Sequence, residues 1–400
     1  MYYNEGRAGC GEFDVRPYII LQRLIVRICF RLSSALLLFR PKSSLSMESV
    51  IGPQEVAFFV ENISQHFNKA LSVNLGDASS GAFSYTYSLG KMSNRLRPLA
   101  RFFVGPALIG WLTPRVSSFI YVGKLGFLIS KYDQRRWEFS FLKSKNKRIV
   151  CYLVGSDIRS SKKMASLEEL TNEENISTYQ SLGLSRERLN QIDFRQKLFA
   201  KIIDDFSDAT FSAKFDQASY LTRKTLPVMY FCPDSLFSDD ASKFNSVDCP
   251  IVVHAPSNPI IKGTPIIRSA VRRLKLEGHH FQYIELMGIT HQEVLSHLKN
   301  AHILINELYG FMPGVLAVEG MANSCAVITR ADHKFEKDLG HESEHAWLST
   351  PPYYLYEHLK KLLDSPDLML QYAQNGYKWA STNARASTNG QKLESIIKKF

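Results

Sequence analysis

The stretch Cys249–Leu274, CPIVVHAPSNPIIKGTPIIRSAVRRL, decides how the second half of this 400-residue chain is read. PIVVHA is a short apolar run of strand type that passes straight into the loop His254-Ala255-Pro256-Ser257-Asn258. Thr264 is a good N-cap, and Pro265 suits the first helical position, where its missing N–H costs nothing. Ile266, Ile267, Ala270, Val271 and Leu274 recur at helical spacing, and Gly278 closes the helix. Lys262 and Gly263 therefore stand in a loop between strand and helix, where α/β proteins often hold ligands.

Working outward, the alternation continues. FQYIELMG reads as a strand, and Thr290-His291-Gln292-Glu293 as a capping box that opens a helix buried through Val294, Leu295 and Leu298. AHILIN, PGVLAVEGMAN and CAVIT follow as strand, helix and strand. A change of element about every dozen residues predicts a parallel, doubly wound sheet. In the first half, SALLLF (34–39) is expected as a first strand and GPQEVAFFVENISQHFNKAL as the helix after it. LSVNL, KRIVCYLVGSD and DATFSAK are expected as later strands, with FRQKLFAKIIDDF a helix between the last two. The fold class is α/β, with two Rossmann-like domains facing across a cleft. The expected divisions are a basic, apolar extension at 1–33, a first domain at 34–232, a hinge at 233–248 and a second domain with C-terminal helices at 249–400.

Hydrophobic residues make up 45% of the chain and charged ones 22%, an ordinary globular balance, while the net charge of +11 calls for an anionic partner. Aromatic-rich nucleic-acid motifs and long basic runs are missing, so nucleic acid is not the expected partner. The six cysteines show no metal-ligand spacing and no C-x-x-C pair, which fits reduced thiols and a cytoplasmic setting. The longest apolar candidate for a membrane span, Phe102–Pro114, is short and contains two prolines. Acidic residues Glu5, Glu12 and Asp14 precede the N-terminal apolar part, against a signal peptide.

Two features converge on one sheet edge of the second domain. One is the Lys262-Gly263 loop, with Asn258 just before it. The other is the helix opening at Pro313-Gly314, whose amides at Gly314, Val315 and Leu316 would face the cleft with the positive end of the helix dipole. Glu319, more than a turn further on, could accept both hydroxyls of a ribose. Together these would bind a nucleoside diphosphate. Each has a plain rival: Lys262-Gly263 as a solvated turn, Glu319 as a surface pairing residue, Asp157 and Arg159 as partners of each other, and His254 as a hydrogen-bonded core histidine. No D-x-D triplet is present, and a leaving diphosphate held by Lys262 and backbone N–H groups needs no metal or cofactor.

The run from His254 to Thr329 resembles the nucleotide-sugar-binding domain of GT-B glycosyltransferases, in particular the retaining family 4 type. YLVGSDIRSS resembles a first-domain motif of some of these enzymes, which implies cleft positions for Gly155, Ser156, Asp157 and Arg159. The resemblance implies sugar transfer from a nucleotide-activated donor, with Lys262, Asp157 and Arg159 as catalytic residues. It covers about Val150 to Thr329 well and the region before Ser117 weakly. The chain also departs from the pattern. Phe311 stands where an acidic residue is usual, eight before Glu319, and Glu307 is the nearest upstream acid at the wrong spacing. Ser257 and Ser324 replace a basic residue and a glycine. His66 is the sole histidine before His254, and it sits in an apolar helical pattern.

Residues 15–47 carry six basic residues and no acidic one, with Arg23, Arg27 and Arg31 four apart on an otherwise apolar helix. A second basic-then-apolar stretch runs from Lys91 to Leu112. Peripheral contact with an anionic membrane is one reading and core packing with solvated arginines the other. The expected function is a glycosyltransferase acting on a glycan or lipid-linked acceptor in polysaccharide or glycolipid assembly. A sugar-nucleotide epimerase, or a degenerate nucleotide-binding relative acting as an assembly partner, stays open beside it.

Overall fold

Strand and helix alternate through both halves of the computed structural model, which describes residues 17–39, 47–76, 84–129, 133–173, 183–245 and 247–400. The first sheet holds β1 (Ser49–Gly52), β2 (Ala70–Asn74), β3 (Tyr87–Ser88), β4 (Ser118–Val122), β5 (Arg148–Tyr152) and β6 (Ala209–Phe211). Their order is β3-β2-β1-β4-β5-β6 and their pairing is parallel throughout. The second holds β7 (Ile251–His254), β8 (Gln282–Glu285), β9 (Ile303–Ile305), β10 (Ala326–Thr329) and β11 (Leu348–Ser349), again parallel, in the order β11-β10-β9-β7-β8. Both are doubly wound orders, and each reverses direction once. Such a reversal leaves a crevice outside the carboxyl ends of two neighbouring strands, between β1 and β4 in one sheet and between β7 and β9 in the other.

Helices α1 (Pro17–Leu38), α2 (Phe59–His66), α3 (Arg97–Leu112), α4 (Arg136–Lys143), α5 (Ser161–Thr171) and α6 (Arg186–Phe206) belong to the first half. The second half supplies α7 (Thr264–Leu276), α8 (His291–Asn300), α9 (Gly314–Ala322), α10 (Leu355–Leu363), α11 (Pro366–Asn383) and α12 (Ala386–Lys398). Strands such as β4 and β10 are buried along their whole length, as strands covered by helices on both faces must be.

Three local expectations need correction. SALLLF is not a strand: residues 34–38 finish the long helix α1, whose Gln22 and Ser33 bond to α3 carbonyls and fix it there. The stretch expected to be one helix from Gly52 onward has its helix only at Phe59–His66, and the first strand precedes it at Ser49–Gly52. Thr264 is the first helical residue rather than the cap, because Gly263 takes the cap position in a left-handed conformation and the Thr264 hydroxyl turns inward to His254. Residues 1–16 of the expected extension, and Arg40 and Lys42, lie outside the described residues.

The chain crosses between the sheets near Cys232. Its N–H bonds to the Ala384 carbonyl at 2.8 Å, and its own carbonyl accepts from Ala386 N–H at 2.9 Å. Helix α12, which sequence placed with the second domain, returns to pack on α2; a Cβ added at Gly390 would lie 2.6 Å from that of His66. One apolar cluster runs through this junction, joining Phe59, Tyr152 and Phe231 to Val318, Met321 and Trp379.

Candidate functional site

The crevice between β7 and β9 receives the loop that ends in Lys262-Gly263 and the loop that runs from Asn306 into α9. Gly263 has φ +75, and an added Cβ would lie 2.8 Å from Leu308, so no other residue fits without strain. The bend aims Lys262 at Glu307, with which it forms a close ion pair. Asn258 is used locally: its Oδ1 accepts from the N–H groups of Ile260 at 3.1 Å and Ile261 at 3.3 Å, shaping the same loop.

Helix α9 opens at Gly314, which has φ +73. Its N–H donates to the Tyr230 hydroxyl at 3.2 Å, and Asn306 Nδ2 donates to the Pro313 carbonyl at 2.6 Å. Gly314, Val315 and Leu316 are the half-exposed part of a helix that is otherwise buried. A Cβ at Gly314 would lie 3.8 Å from Glu307 Oε1. A carboxylate paired with a lysine thus lies beside the positive end of α9, where the helix dipole favours the carboxylate.

Glu319 is 3% exposed, deep in α9, and its Oε1 lies 2.8 Å from His291 Nε2. His291 opens α8 behind the capping box, which forms as expected: Thr290 accepts from Glu293 N–H and Glu293 accepts from Thr290 N–H. The imidazole stacks on Phe58 of the first domain, with ring centroids 4.3 Å apart and planes 24° apart. Burial opposes its charge, but the Glu319 hydrogen bond and the fields of Glu319 and Glu61 outweigh that, so His291 holds its proton above its ordinary value. A folded value raised in this way stabilises the protein fully below about pH 6.5 and less as pH climbs through it. Melting curves taken from about pH 6 to about pH 9 should show wild type losing more stability than His291→Gln. Parallel curves would mean that folding does not raise the His291 pKa.

The opposite wall comes from the first domain. Asp157 does not pair with Arg159: its carboxyl accepts from Val154 N–H at 2.9 Å, and burial pushes it up to about 6 against that bond and nearby Lys124 and Arg135. Arg159 pairs instead with Asp216 at 2.8 Å. Asp216 also accepts from the backbone of Phe311, across the cleft. Burial holds the Asp216 carboxyl above its ordinary range despite Arg159. Phe311, which replaces the expected acid, is buried against Phe215 and Phe335 beneath the Arg330 guanidinium. Glu336 closes this side by accepting from Lys214 N–H at 2.7 Å and Phe215 N–H at 2.9 Å.

His254 ends β7 fully buried, with Nδ1 2.8 Å from the Ile305 carbonyl and Nε2 2.9 Å from the Thr264 hydroxyl. Those partners require Nδ1 to donate and Nε2 to accept, and burial lowers its pKa to about 4, so it serves as a neutral brace. His66 faces Asp234 and α12. Lys262, Glu307 and the start of α9 come together, with Glu319 a turn further on. Asp157 and Arg159 lie on the loop after β5 in the first domain, each already engaged. Sequence reasoning set Glu307 aside for its spacing and missed His291, Phe58, Tyr230 and Asp216. The capping box marked His291's position but nothing in it marked Glu319 as its partner.

No family model matches the chain, and no curated protein matches it in sequence. Solved structures do. WaaG, a glycosyltransferase involved in lipopolysaccharide biosynthesis, is 11% identical over 88% of this chain and 99% of its own, with a TM-score of 0.52. A glycosyltransferase from Rickettsia africae ESF-5 is 11% identical over 88% of this chain and 98% of its own, also at 0.52. Sucrose-phosphate synthase from Thermosynechococcus elongatus is 13% identical over 82% of each chain, at 0.50. With two parallel, doubly wound sheets meeting across a cleft, the chain has the GT-B fold of these glycosyltransferases.

Proposed function

We propose that the chain transfers a sugar from a nucleoside-diphosphate sugar to a glycan or lipid-linked acceptor, as a retaining enzyme of the family 4 type. The observation that carries this reading is the meeting of Lys262 with the amino end of α9 in the β7/β9 crevice, one turn from the buried Glu319. In this reading the diphosphate displaces the Glu307 carboxylate from Lys262 and takes its place at the helix start. Glu319 then exchanges His291 for the ribose hydroxyls. Lys262 and the Val315 and Leu316 amides, joined by that of Gly314 once it leaves the Tyr230 hydroxyl, stabilise charge on the leaving diphosphate as the glycosidic bond breaks. Asp157 and Arg159 shape the acceptor side through the contacts they already make.

Phe311 favours a second reading, in which the chain binds a nucleotide without turning it over, because an aromatic cluster fills the place of an expected acid. Incubation of radiolabelled nucleotide sugars with the protein and an acceptor extract separates the two. Label entering a glycan or glycolipid is the expected result. Label recovered only as an isomerised nucleotide sugar would assign an epimerase, and unchanged donor with nucleotide binding intact would assign the non-catalytic reading.

A further inference from the structure

We propose that α1 and the amino-terminal half of α3 form a docking face for an anionic phospholipid bilayer. One side of α1 is spent inside the protein, where Ile19, Gln22, Val26 and Ser33 are buried. The other side presents Ile20, Leu24, Ile28 and Leu32 at four-residue spacing, all exposed, with Leu32 at 57%. Helix α3, packed alongside, adds exposed Leu99 and Phe103, and Leu96 just before it. An apolar row of this length on a helix whose opposite side is already packed is the pattern of an interfacial helix. No helix among the described residues is long and apolar enough to cross a membrane.

Charge identifies the occupant. Segments 17–39 and 91–116 contain no Asp or Glu, yet carry Arg23, Arg27, Arg31, Lys91, Arg95, Arg97, Arg101 and Arg115. Arg27, Arg31, Lys91 and Arg95 are exposed. Beside the apolar row, α1 and α4 enclose a groove of about 390 Å³ with Arg27, Arg31 and Lys145 at its rim and Phe30, Trp137 and Phe141 in its walls. Cations above apolar walls fit a lipid phosphate with its acyl chain beneath. A second copy does not fit this face, since a two-fold contact through α1 would set arginine against arginine with no acid on either helix.

The position of the face adds a consequence. Gln22 accepts from Ile129 N–H at 3.2 Å, and Arg101 donates to the Gly126 carbonyl at 3.2 Å. That loop follows β4, at the crevice edge of the first sheet. A bilayer lying against α1 would therefore border the cleft and could present a membrane-borne acceptor. Presentation of an acceptor rests on the proposed transferase reading; the docking face does not.

The test is co-sedimentation of the full chain with vesicles of phosphatidylcholine alone and of phosphatidylcholine with phosphatidylglycerol. Wild type should pellet with the phosphatidylglycerol vesicles and release as salt rises. Ile28→Gln/Leu32→Gln and Arg27→Gln/Arg31→Gln change exposed residues and should melt as wild type does, while binding falls by about tenfold or more. Their response to nucleotides should be unchanged, which keeps this proposal separate from the donor site. Wild type that stays in solution with both vesicles, or variants that pellet equally well, would overturn it. So would a dimer by light scattering that Ile28→Gln/Leu32→Gln dissociates, because the face would then belong to a second copy.

Discussion

One of UDP, GDP, ADP and CDP should raise the melting temperature of the wild-type chain, and Glu319→Gln should lose that response. Ligand at a hundred times its dissociation constant adds about 2.7 kcal/mol to stability. Glu319 is the residue whose two carboxylate oxygens would both be used by a ribose. Glutamine keeps the shape, keeps an oxygen for His291 and removes the second acceptor. Glu319→Ala is the blunter variant, since it also leaves His291 without the carboxylate that holds its proton. Each variant is therefore compared with its own ligand-free melt. A wild type that responds to none of the four at saturation would sink the donor site. A Glu319→Gln protein that responds as fully as wild type would keep the site but move the ribose elsewhere.

Lys262→Ala should lower kcat/KM for sugar transfer by about a hundred- to a thousandfold, the usual loss when a fixed group that stabilises developing charge is removed. The structure adds a reason for a large effect. Removing Lys262 also leaves Glu307 unpaired beside the start of α9, where it would repel the donor's phosphates. The double variant Lys262→Ala/Glu307→Gln should therefore recover part of the nucleotide affinity but little of kcat. Lys262→Arg should not rescue, because a planar fork does not replace a compact ammonium in a bend set by Gly263. A rate within about threefold of wild type in Lys262→Ala would place the diphosphate elsewhere, since a fixed cation at developing charge is worth far more than that.

Much of the second domain was legible because its signals are local. The Thr290–Glu293 capping box, the helical spacing after Gly263 and the Pro313-Gly314 start each act within one turn of chain. The first half was less legible for the same reason in reverse. SALLLF is short, apolar and without period, so strand and helix fit it equally, and what decided for helix was the packing of α1 on α3. Thr264 looked like a cap, but the bend at Gly263 and the hydrogen bond to His254 turned its hydroxyl inward.

Sequence by itself determined the alternation of strand and helix, the parallel sheets it implies, and Lys262, Gly314 and Glu319 as the residues of interest. Tertiary structure alone decided who meets whom. Lys262 and Glu307 are separated by 45 positions, His291 and Glu319 by 28, and Phe58 reaches His291 from another domain. Such pairs depend on strand order and on how two sheets face each other. Helix and strand periodicity report only which side of an element is buried, and carry no record of the partner that buries it.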